Sequence, residues 1–345
     1  MAQKYIRNGV SDLEIDKVNI FEVAERAGVS KSTVSRALNN HYGVSQKSKE
    51  KVWKAIEDLK YRPNLFARYL RTNASKRIGL LFSSKMSDSS ILQQINIGKL
   101  GGIMNKAKEL GFDITIFTED LSDPSGLNEV IQEKGLSGIL LLNPVVKKVL
   151  HTLESYGIPH VLINWSVPGH EHQCFVKTDW AKATIIALDY LLDKGYTDIG
   201  VITWGEDELS KERVIQSTFA NYMKNKGLPY ENHVWNTKLK IPKEAVVDYL
   251  EKSKKRAYLS FSYFTSMHIL NYCREKNISI PADVALLSND YFEFFEYLHP
   301  KLTALKQPSE KMGELALEKL IRKMDGEQNV ESELVAPDLI LGDSC

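Results

Sequence analysis

The sequence predicts a small all-α N-terminal domain joined to a larger α/β body that has two lobes and parallel sheets. Apolar residues at three- and four-residue spacing predict short helices between residues 19 and 59. From residue 78 onward, apolar runs of four to six residues alternate with helical patterns, which is typical of βαβ units. Charge separates the two parts: residues 18–77 hold 13 Lys/Arg against 5 Asp/Glu, and residues 78–345 hold 29 against 36.

Two short helices joined by a tight turn are predicted near the N-terminus. Ser30 is a predicted N-cap for a helix over 31–39, which places Val34 on its inner face and a polar set on its outer face. Gly28 lies where the turn before it needs a positive φ. This is a helix-turn-helix pattern, whose second helix enters the major groove of DNA. An ordinary αα-hairpin is the alternative.

Two further segments support the DNA-binding interpretation. Ser45 caps a predicted third helix over 46–59, which exposes several lysines. The segment YRPNLFARYLRT, residues 61–72, begins with a Pro-Asn start signal and places arginines beside apolar residues. Together, FEVAERAGVSKSTVSRALN and YRPNLFARYLRT resemble the DNA-binding headpiece of the LacI/GalR family of bacterial transcription regulators.

The resemblance implies a role for each matched residue of the headpiece. The residues matched to base-reading positions are Lys31, Ser32 and Arg36. The residues expected at the DNA backbone are Ser30, Thr33, Ser35, Lys47, Lys49, Arg68 and Arg71. In the hinge helix, Leu70 and Ala67 are expected at the minor groove. An arginine such as Arg36 can make a bidentate contact to guanine.

The same resemblance implies a domain organisation. The expected ranges are a polar leader (1–17), the headpiece (18–63), a hinge helix and linker (64–77), and a body (78–345) with lobe one at about 78–191 and 303–322 and lobe two at about 192–302 and 323–345. The body is expected to be periplasmic-binding-protein-like (type I), with a cleft between the lobes at the carboxyl ends of the strands. The implied partners are a pseudo-palindromic double-stranded operator, a small carbohydrate effector and a second copy of the chain.

Two aspartates are the strongest effector-binding candidates. Asp290 lies in Ser288-Asn289-Asp290-Tyr291, which matches the first Asp of the family motif G-[FY]-D-D and departs at its second. Asp179, in KTDW, matches the family Asp that caps a helix facing the cleft, although a plain N-cap is the alternative. A carboxylate can accept hydrogen bonds from two sugar hydroxyls, so both residues suit a polyol.

Other cleft positions depart from the family pattern. The family's cleft arginine falls on Ile215, and Arg213, two residues earlier, is the nearest substitute. The family's Asn-Asp pair after the following strand is replaced by Ser262 and Tyr263. Aromatic residues near strand ends could stack on a sugar ring, although core packing is the alternative for each. These aromatic candidates are Tyr263, Trp204 and Tyr291, beside Trp165 and Trp180.

Several function classes find no support in the sequence. Three cysteines without C-x-x-C spacing argue against a disulfide framework or a zinc ribbon and fit a reducing compartment. His170-Glu171-His172 lacks the H-E-x-x-H spacing of a zinc site, and no catalytic motif or P-loop occurs. No cofactor or metal is therefore expected, and the protein is not expected to be an enzyme. Without an apolar span or signal peptide, we expect a cytoplasmic protein with no membrane partner.

Two functional interpretations remain after these exclusions. The first is a repressor whose operator affinity is controlled by a small effector, a sugar or a sugar derivative. The alternative is a DNA-binding regulator whose sensor domain is vestigial or is controlled by a protein partner, and the altered cleft residues leave it open. A sugar-binding transport component would need an export signal and no headpiece.

Overall fold

The computed structural model describes residues 20–38, 45–59, 76–83, 90–119, 126–142, 147–166, 172–204, 211–237 and 243–345. They form two compact units, an N-terminal unit that holds the first three helices and a larger unit that holds both sheets. No helix within these ranges is long and apolar enough to cross a membrane.

The N-terminal unit consists of three short helices around a small apolar core. Its helices are α1 (Ile20–Ala27), α2 (Lys31–Leu38) and α3 (Gln46–Asp58). The core contains Val23, Ala24, Ala27, Val34, Ala37, Val52 and Ala55. Gly28, between α1 and α2, has φ +63°, as the predicted turn requires. An ion pair between Arg26 and Asp58, 3.1 Å apart, joins α1 to the end of α3.

Alternating strands and helices form the larger unit. Its strands are β1 (Arg77–Ser83), β2 (Asp113–Glu119), β3 (Gly138–Leu141), β4 (His160–Ile163), β5 (Phe175–Thr178), β6 (Ile199–Trp204), β7 (Val234–Thr237), β8 (Ala257–Ser260), β9 (Ala285–Ser288), β10 (Thr303–Lys306), β11 (Glu333–Val335) and β12 (Asp338–Ile340). Its helices are α4 (Ser90–Leu110), α5 (Leu127–Glu133), α6 (Lys147–Ser155), α7 (Trp180–Asp193), α8 (Lys211–Asn225), α9 (Lys243–Ser253), α10 (Tyr263–Glu275) and α11 (Ser309–Met324), with a 3₁₀ helix at Glu293–Tyr297.

The strands form two six-stranded sheets, one in each lobe. Lobe one has the order β11-β5-β4-β3-β1-β2, and all its pairs are parallel. Lobe two has the order β12-β10-β9-β8-β6-β7, in which only the β10–β12 pair is antiparallel. The parallel α/β body with a separate helical headpiece confirms the predicted fold class.

Buried apolar side chains line the sheets of both lobes. In lobe one, residues of β1, β3, β4 and β5 pack against α4 and α11. In lobe two, one face of the sheet packs against α7 and α8 and the other face against α9 and α10. Strands that are buried on both faces are near-continuous apolar runs, which is why β3, β4, β8 and β9 are recognisable in the sequence.

The expected lobe boundaries are wrong at three places. The strand β10 pairs with β9 in lobe two, although 303–322 was expected in lobe one. The strand β11 pairs with β5 in lobe one, although 323–345 was expected in lobe two. Helix α7 packs in the lobe-two core and not in lobe one. Sheet membership depends on pairing between distant segments, which local apolar patterns do not encode.

The chain therefore crosses between the lobes three times. The crossings follow β5, β10 and β11. The backbone N–H of Asp179 in the first crossing donates to the Val335 carbonyl oxygen in the third (2.9 Å). The Thr178 hydroxyl in the first lies 3.1 Å from Oε1 of Gln307 in the second. The three crossings are thus hydrogen-bonded to one another and form the hinge of the body.

Helices α4 and α11 of lobe one are in backbone contact. A Cβ added at Gly102 would overlap the carbonyl oxygen of Glu310, and a Cβ added at Gly313 would overlap that of Lys99. Both positions therefore require glycine because of a close approach between helices. The contact fixes α4 to the helix that begins just after the second crossing.

Candidate functional site

The recognition helix α2 begins at a cap formed by serine, as predicted. The Ser30 hydroxyl accepts a hydrogen bond from the Thr33 backbone N–H (3.2 Å) and lies within 2.7–2.8 Å of the hydroxyls of Ser32 and Thr33. In α3, the Ser45 hydroxyl accepts from the Ser48 N–H in the same way (3.2 Å). Side-chain caps of this kind fix where each helix starts.

The polar side chains predicted at DNA lie at the surface of the headpiece. Ser32, Arg36 and Lys47 are exposed, and Lys31, Thr33 and Lys49 are partly exposed. Val34 and Ala37, on the opposite face of α2, are buried in the core. Helix α2 therefore presents hydroxyl, ammonium and guanidinium donors outward, the groups that contact bases and phosphates.

Some predicted DNA contacts lie outside the described residues. These are Arg68, Arg71, Leu70 and Ala67, together with the side chain of Ser35, and their roles stay predictions.

An exposed aromatic ring beside the recognition helix was missed in the sequence. The Phe21 side chain on α1 is 62 % exposed, and the Lys31 ammonium lies 4.1 Å from its ring centroid. A cation–π contact of this geometry orients the lysine. The sequence does indicate that this ring is exposed, because Phe21 lies off the apolar face formed by Val23, Ala24 and Ala27.

In the body, Asp290 lies at the carboxyl end of β9 and joins lobe two to the hinge. Its Oδ2 accepts a hydrogen bond from the Tyr263 backbone N–H (3.3 Å), at the first residue of α10. Its Oδ1 accepts one from Nε2 of Gln307 (3.4 Å). Burial raises the pKa of Asp290, while the charge of Lys211, these hydrogen bonds and the charge of Lys99 act in the opposite direction. A carboxylate at a helix N-terminus is favoured by the helix dipole.

Gln307 connects this carboxylate to lobe one. Its Oε1 lies 3.1 Å from the Thr178 hydroxyl, which is also 3.1 Å from Oδ1 of Asn164. The side chains of Asn164, Thr178, Gln307 and Asp290 thus form one polar chain that runs across the hinge. The prediction from motif matching included Asp290 but missed Gln307.

Asp179 is the N-cap of α7. Its Oδ1 accepts a hydrogen bond from the Lys182 backbone N–H (2.8 Å). Because its backbone N–H also takes part in the contact between crossings, the residue has a structural role at the hinge. Binding of an effector by the other carboxylate oxygen of Asp179, Oδ2, is still a prediction.

On α8, Lys211 is a cation whose charge acts on Asp290, whereas Arg213 was the expected one. Ile215, on which the family's arginine position falls, is fully buried in the lobe-two core, and Arg213 is exposed. Lys211 lies one helical turn before Ile215 on the same face of α8, and its charge acts on Asp290. Its ammonium lies 5.1 Å from the Trp180 ring and 3.8 Å from Oε1 of Glu212.

A fully buried lysine in lobe one was not revealed by the sequence. Lys99 on α4 is 0 % exposed, and its ammonium donates to Oδ1 of Asn96 (3.4 Å). Burial lowers the pKa of Lys99 to about 8, while the charge of Asp290 raises it. Lys99 of lobe one and Asp290 of lobe two thus carry opposite charges that act on each other.

Only some of the aromatic residues that were predicted to stack on a sugar ring have described side chains. Tyr263 is partly buried and contacts Phe264 and Phe292, with ring centroids 4.2 and 5.0 Å away. Tyr291 packs against Phe295 and donates to Oε1 of Glu296. The side chain of Trp204 lies outside the described residues. The rings of both tyrosines pack against other aromatic rings of lobe two, as in the core-packing alternative.

The described residues contain no group of His, Cys, Asp or Glu that could hold a metal ion. Of the His-Glu-His motif, His170 and Glu171 lie outside the described ranges. Cys174 and Cys273 are buried, Cys345 is partly buried, and all three are free thiols.

Comparison with known families identifies both parts of the chain. Residues 19–64 match the model of bacterial regulatory proteins of the lacI family, and residues 188–345 match the periplasmic binding protein-like domain. Together the two models match more than half of the chain.

Curated relatives match nearly end to end. The HTH-type transcriptional regulator MalR of Clostridium butyricum is 26% identical, over 95% of this chain and 99% of its own length. The HTH-type transcriptional repressor PurR of Vibrio parahaemolyticus (serotype O3:K6) is 26% identical, over 93% and 97%.

Solved structures share the fold. The transcriptional regulator CelR–cellobiose complex superposes with a TM-score of 0.68 at 22% identity, covering 95% of this chain and 100% of that one. The lac repressor dimer bound to operator and the anti-inducer ONPF gives a TM-score of 0.64 at 20% identity, covering 95% and 99%. With a capped helix-turn-helix, a basic headpiece and a two-lobed α/β body on the same chain, the protein belongs to the lacI family of bacterial regulatory proteins and is a DNA-binding transcriptional repressor, not an enzyme.

Proposed function

We propose that this repressor binds a pseudo-palindromic operator as a homodimer and that a small polyhydroxylated effector, a sugar or a sugar derivative, controls its operator affinity. The observation that carries the proposal is the polar chain from Asp290 through Gln307 to Thr178. A ligand that engages Asp290 competes with the contacts that hold the two lobes at the hinge. Ligand binding and lobe geometry are then linked.

Such control requires unequal binding to two states. An effector changes operator affinity only by as much as its own affinity differs between the two lobe arrangements. The CelR structure is a complex with cellobiose, and the lac repressor structure holds the anti-inducer ONPF. Both support control of this protein by a small molecule, and the cellobiose complex supports an effector that resembles a sugar.

Exposed apolar side chains on both lobes support the homodimer. On α4, Ile97 and Met104 are exposed and lie seven residues apart, on one face of the helix. In lobe two, Phe264, Phe294 and Tyr297 are exposed. Exposed apolar side chains of this size are typical of association surfaces, and a twofold dimer matches a palindromic site. Because operator DNA lies in the cytoplasm, the proposed function also requires that compartment.

Operator selection followed by a ligand screen tests the proposal. Sites selected from randomised DNA should be palindromic, and fluorescence anisotropy should give cooperative binding of two chains. A thermal-shift screen over sugars and sugar derivatives should find a stabilising ligand, since binding to the native state raises the melting temperature. That ligand should change operator affinity. Operator binding that no small molecule alters would instead favour a vestigial or partner-controlled sensor.

A further inference from the structure

One cation of lobe one is partly desolvated and has no counter-charge. The Lys177 side chain, on β5, is partly buried, and its burial lowers its pKa, on which no charged side chain of the described residues acts. Its Nζ lies 2.9 Å from the Ser166 hydroxyl and 4.6 Å from the ring centroid of Phe175. A charge that leaves bulk water loses solvation free energy, which an opposite charge usually compensates.

Other buried or partly buried lysines of the body do have a counter-charge. In three cases a carboxylate oxygen lies within 3.0 Å of the ammonium. The pairs are Lys106 with Glu318 (3.0 Å), Lys255 with Asp198 (2.8 Å) and Lys319 with Glu333 (2.9 Å). Lys177 has no carboxylate partner in the part of the chain that the structure describes, so an anion from solution would complete the same arrangement there.

The two polar groups at this position both have donors to spare. The Ser166 Oγ accepts a hydrogen bond from the Lys177 ammonium, and within the described ranges its own hydroxyl proton has no acceptor. The ammonium carries three N–H donors, and Ser166 accepts from one of them. Adjacent donors without an acceptor suit an oxyanion, because its oxygens can accept several hydrogen bonds at once and charge makes these bonds stronger.

Hydrogen bonds to two neighbouring strands hold the segment that carries Ser166. Asn164, directly after β4, has a left-handed φ of +67°, and its Oδ1 accepts from the Thr178 hydroxyl of β5 (3.1 Å). The Trp165 indole N–H donates to the carbonyl oxygen of Leu141, the last residue of β3 (3.1 Å). Ser166 is therefore positioned before any ligand binds, which lowers the entropy that binding costs.

This pair lies at the carboxyl end of the lobe-one sheet, on the face opposite the polar chain of the hinge. Val176 belongs to the core beneath α11, and the Thr178 hydroxyl lies 3.8 Å from Sδ of Met312 on that helix. Successive residues of a strand alternate between faces, so Lys177 points to the other side of the sheet. Open α/β sheets bind ligands outside the carboxyl ends of their strands.

We propose that Lys177 and Ser166 form an oxyanion site in lobe one, which binds a phosphate or carboxylate group through the Lys177 ammonium and the Ser166 hydroxyl. Both a free oxyanion and the acidic group of a larger metabolite present such oxygens. The inference goes beyond the proposed function, because it requires neither a sugar at Asp290 nor control of operator affinity.

Matched probes distinguish the two sources of the anion. Inorganic phosphate, glucose 6-phosphate, glucuronate and glucose are each titrated into the full-length protein by calorimetry at constant ionic strength. Tighter binding of either acidic sugar than of inorganic phosphate would identify a metabolite as the ligand, and equal or weaker binding would identify a free oxyanion. Binding of none of the three anions, or equal binding of glucose and its acidic forms, would overturn the proposal.

Variants locate the bound anion, since the basic headpiece can also bind phosphate. Lys177→Met removes the charge at similar length and should weaken binding at least about tenfold, and Ser166→Ala should weaken it by about tenfold or less. Lys177→Arg keeps the charge and should retain binding. Lys108→Met, at an exposed lysine of the same lobe, is the matched control and should bind like the wild type.

Two further results would contradict the site. Equal phosphate affinity in the wild type and in a folded Lys177→Met would place the anion elsewhere, and an equal loss in Lys108→Met would show a general response to net charge. If Lys177→Met did not fold, Ser166→Ala would decide, because unchanged affinity there would also overturn the site. A protein that binds operator under the control of a neutral sugar but binds no oxyanion would leave the proposed function standing, so the two failures are distinguishable.

Discussion

The headpiece and the cleft use charged side chains in opposite environments. Arg36 and Lys47 lie at the surface, where water solvates them. Lys99 is buried and Asp290 only partly exposed, and the Asp290 carboxylate accepts hydrogen bonds from two separate segments. A cation at the surface costs little desolvation free energy and is largely independent of other surface charges. A buried charge costs more and depends on its neighbours for compensation. The same substitution should therefore have different consequences in the two regions.

Removing the buried cation should give the largest effect on stability. Lys99→Met should raise the free energy of unfolding at pH 7 by about 3 kcal/mol, because a pKa lowered from 10.5 to about 8 costs about 1.4 kcal/mol per pKa unit. The measurement is chemical denaturation of the full-length protein. The exposed Lys54→Met of the headpiece should change stability little.

The pH dependence provides the control for that prediction. Between about pH 8 and 10.5 the folded wild type binds fewer protons at Lys99 than the unfolded chain does, so its stability should rise with pH across this window. Lys99→Met should lack the rise. A variant less stable than the wild type at pH 7 would show that Lys99 contributes favourable contacts that exceed its desolvation cost.

Asp290→Ala should have the next largest effect, on effector binding. Loss of this acceptor would leave the effector hydroxyls that it binds unsatisfied, which costs about 1–3 kcal/mol and corresponds to roughly ten- to hundredfold weaker binding. Asp290→Asn keeps an acceptor for the Tyr263 N–H and removes the charge. Calorimetry on both variants separates ligand binding from support of α10. Equal ligand affinity in the wild type and Asp290→Ala would remove Asp290 from the effector site.

In the headpiece, Arg36→Ala should change the base preference at a single base pair of each half-site. A bidentate contact from arginine to guanine discriminates by about 1–3 kcal/mol, so the variant should lose preference at one position of each half-site. Selection from randomised DNA measures this directly. Unchanged base preference would show that Arg36 contacts the backbone and not a base.

The smallest effect is expected for a single phosphate contact. Lys47→Ala should weaken binding to all sequences alike and reduce the slope of log affinity against log salt by about one. Anisotropy titrations at several salt concentrations measure the slope. A loss confined to one operator variant would mean that Lys47 reads sequence.

The headpiece was predictable because its determinants are local. Ser30 and Ser45 act on N–H groups three residues away, and Gly28 acts on its own turn. The strand β5 was missed because buried and partly exposed residues alternate in it, with Lys177 among them, and no apolar run marks it.

The cleft was predictable only where a motif marks it. Asp290 was found because it matches the first Asp of the family motif. Lys99 was not, because nothing near it in the sequence separates a buried lysine from the partly exposed Lys106 and the exposed Lys108 of the same helix. Motif matching pointed to Arg213 and not to Lys211, because the burial of Ile215 depends on how α8 packs against the sheet of lobe two.

The three crossings have a practical consequence for building chimeric repressors. The helix-turn-helix core, from α1 to α3, is contiguous in the sequence and can be exchanged between relatives as one segment. Neither lobe is contiguous, since lobe one takes β11 and α11 from beyond lobe two, and lobe two takes β12 from beyond β11. A sensor of new specificity must therefore be transplanted with the entire body, because any single cut within it leaves both halves with an incomplete sheet.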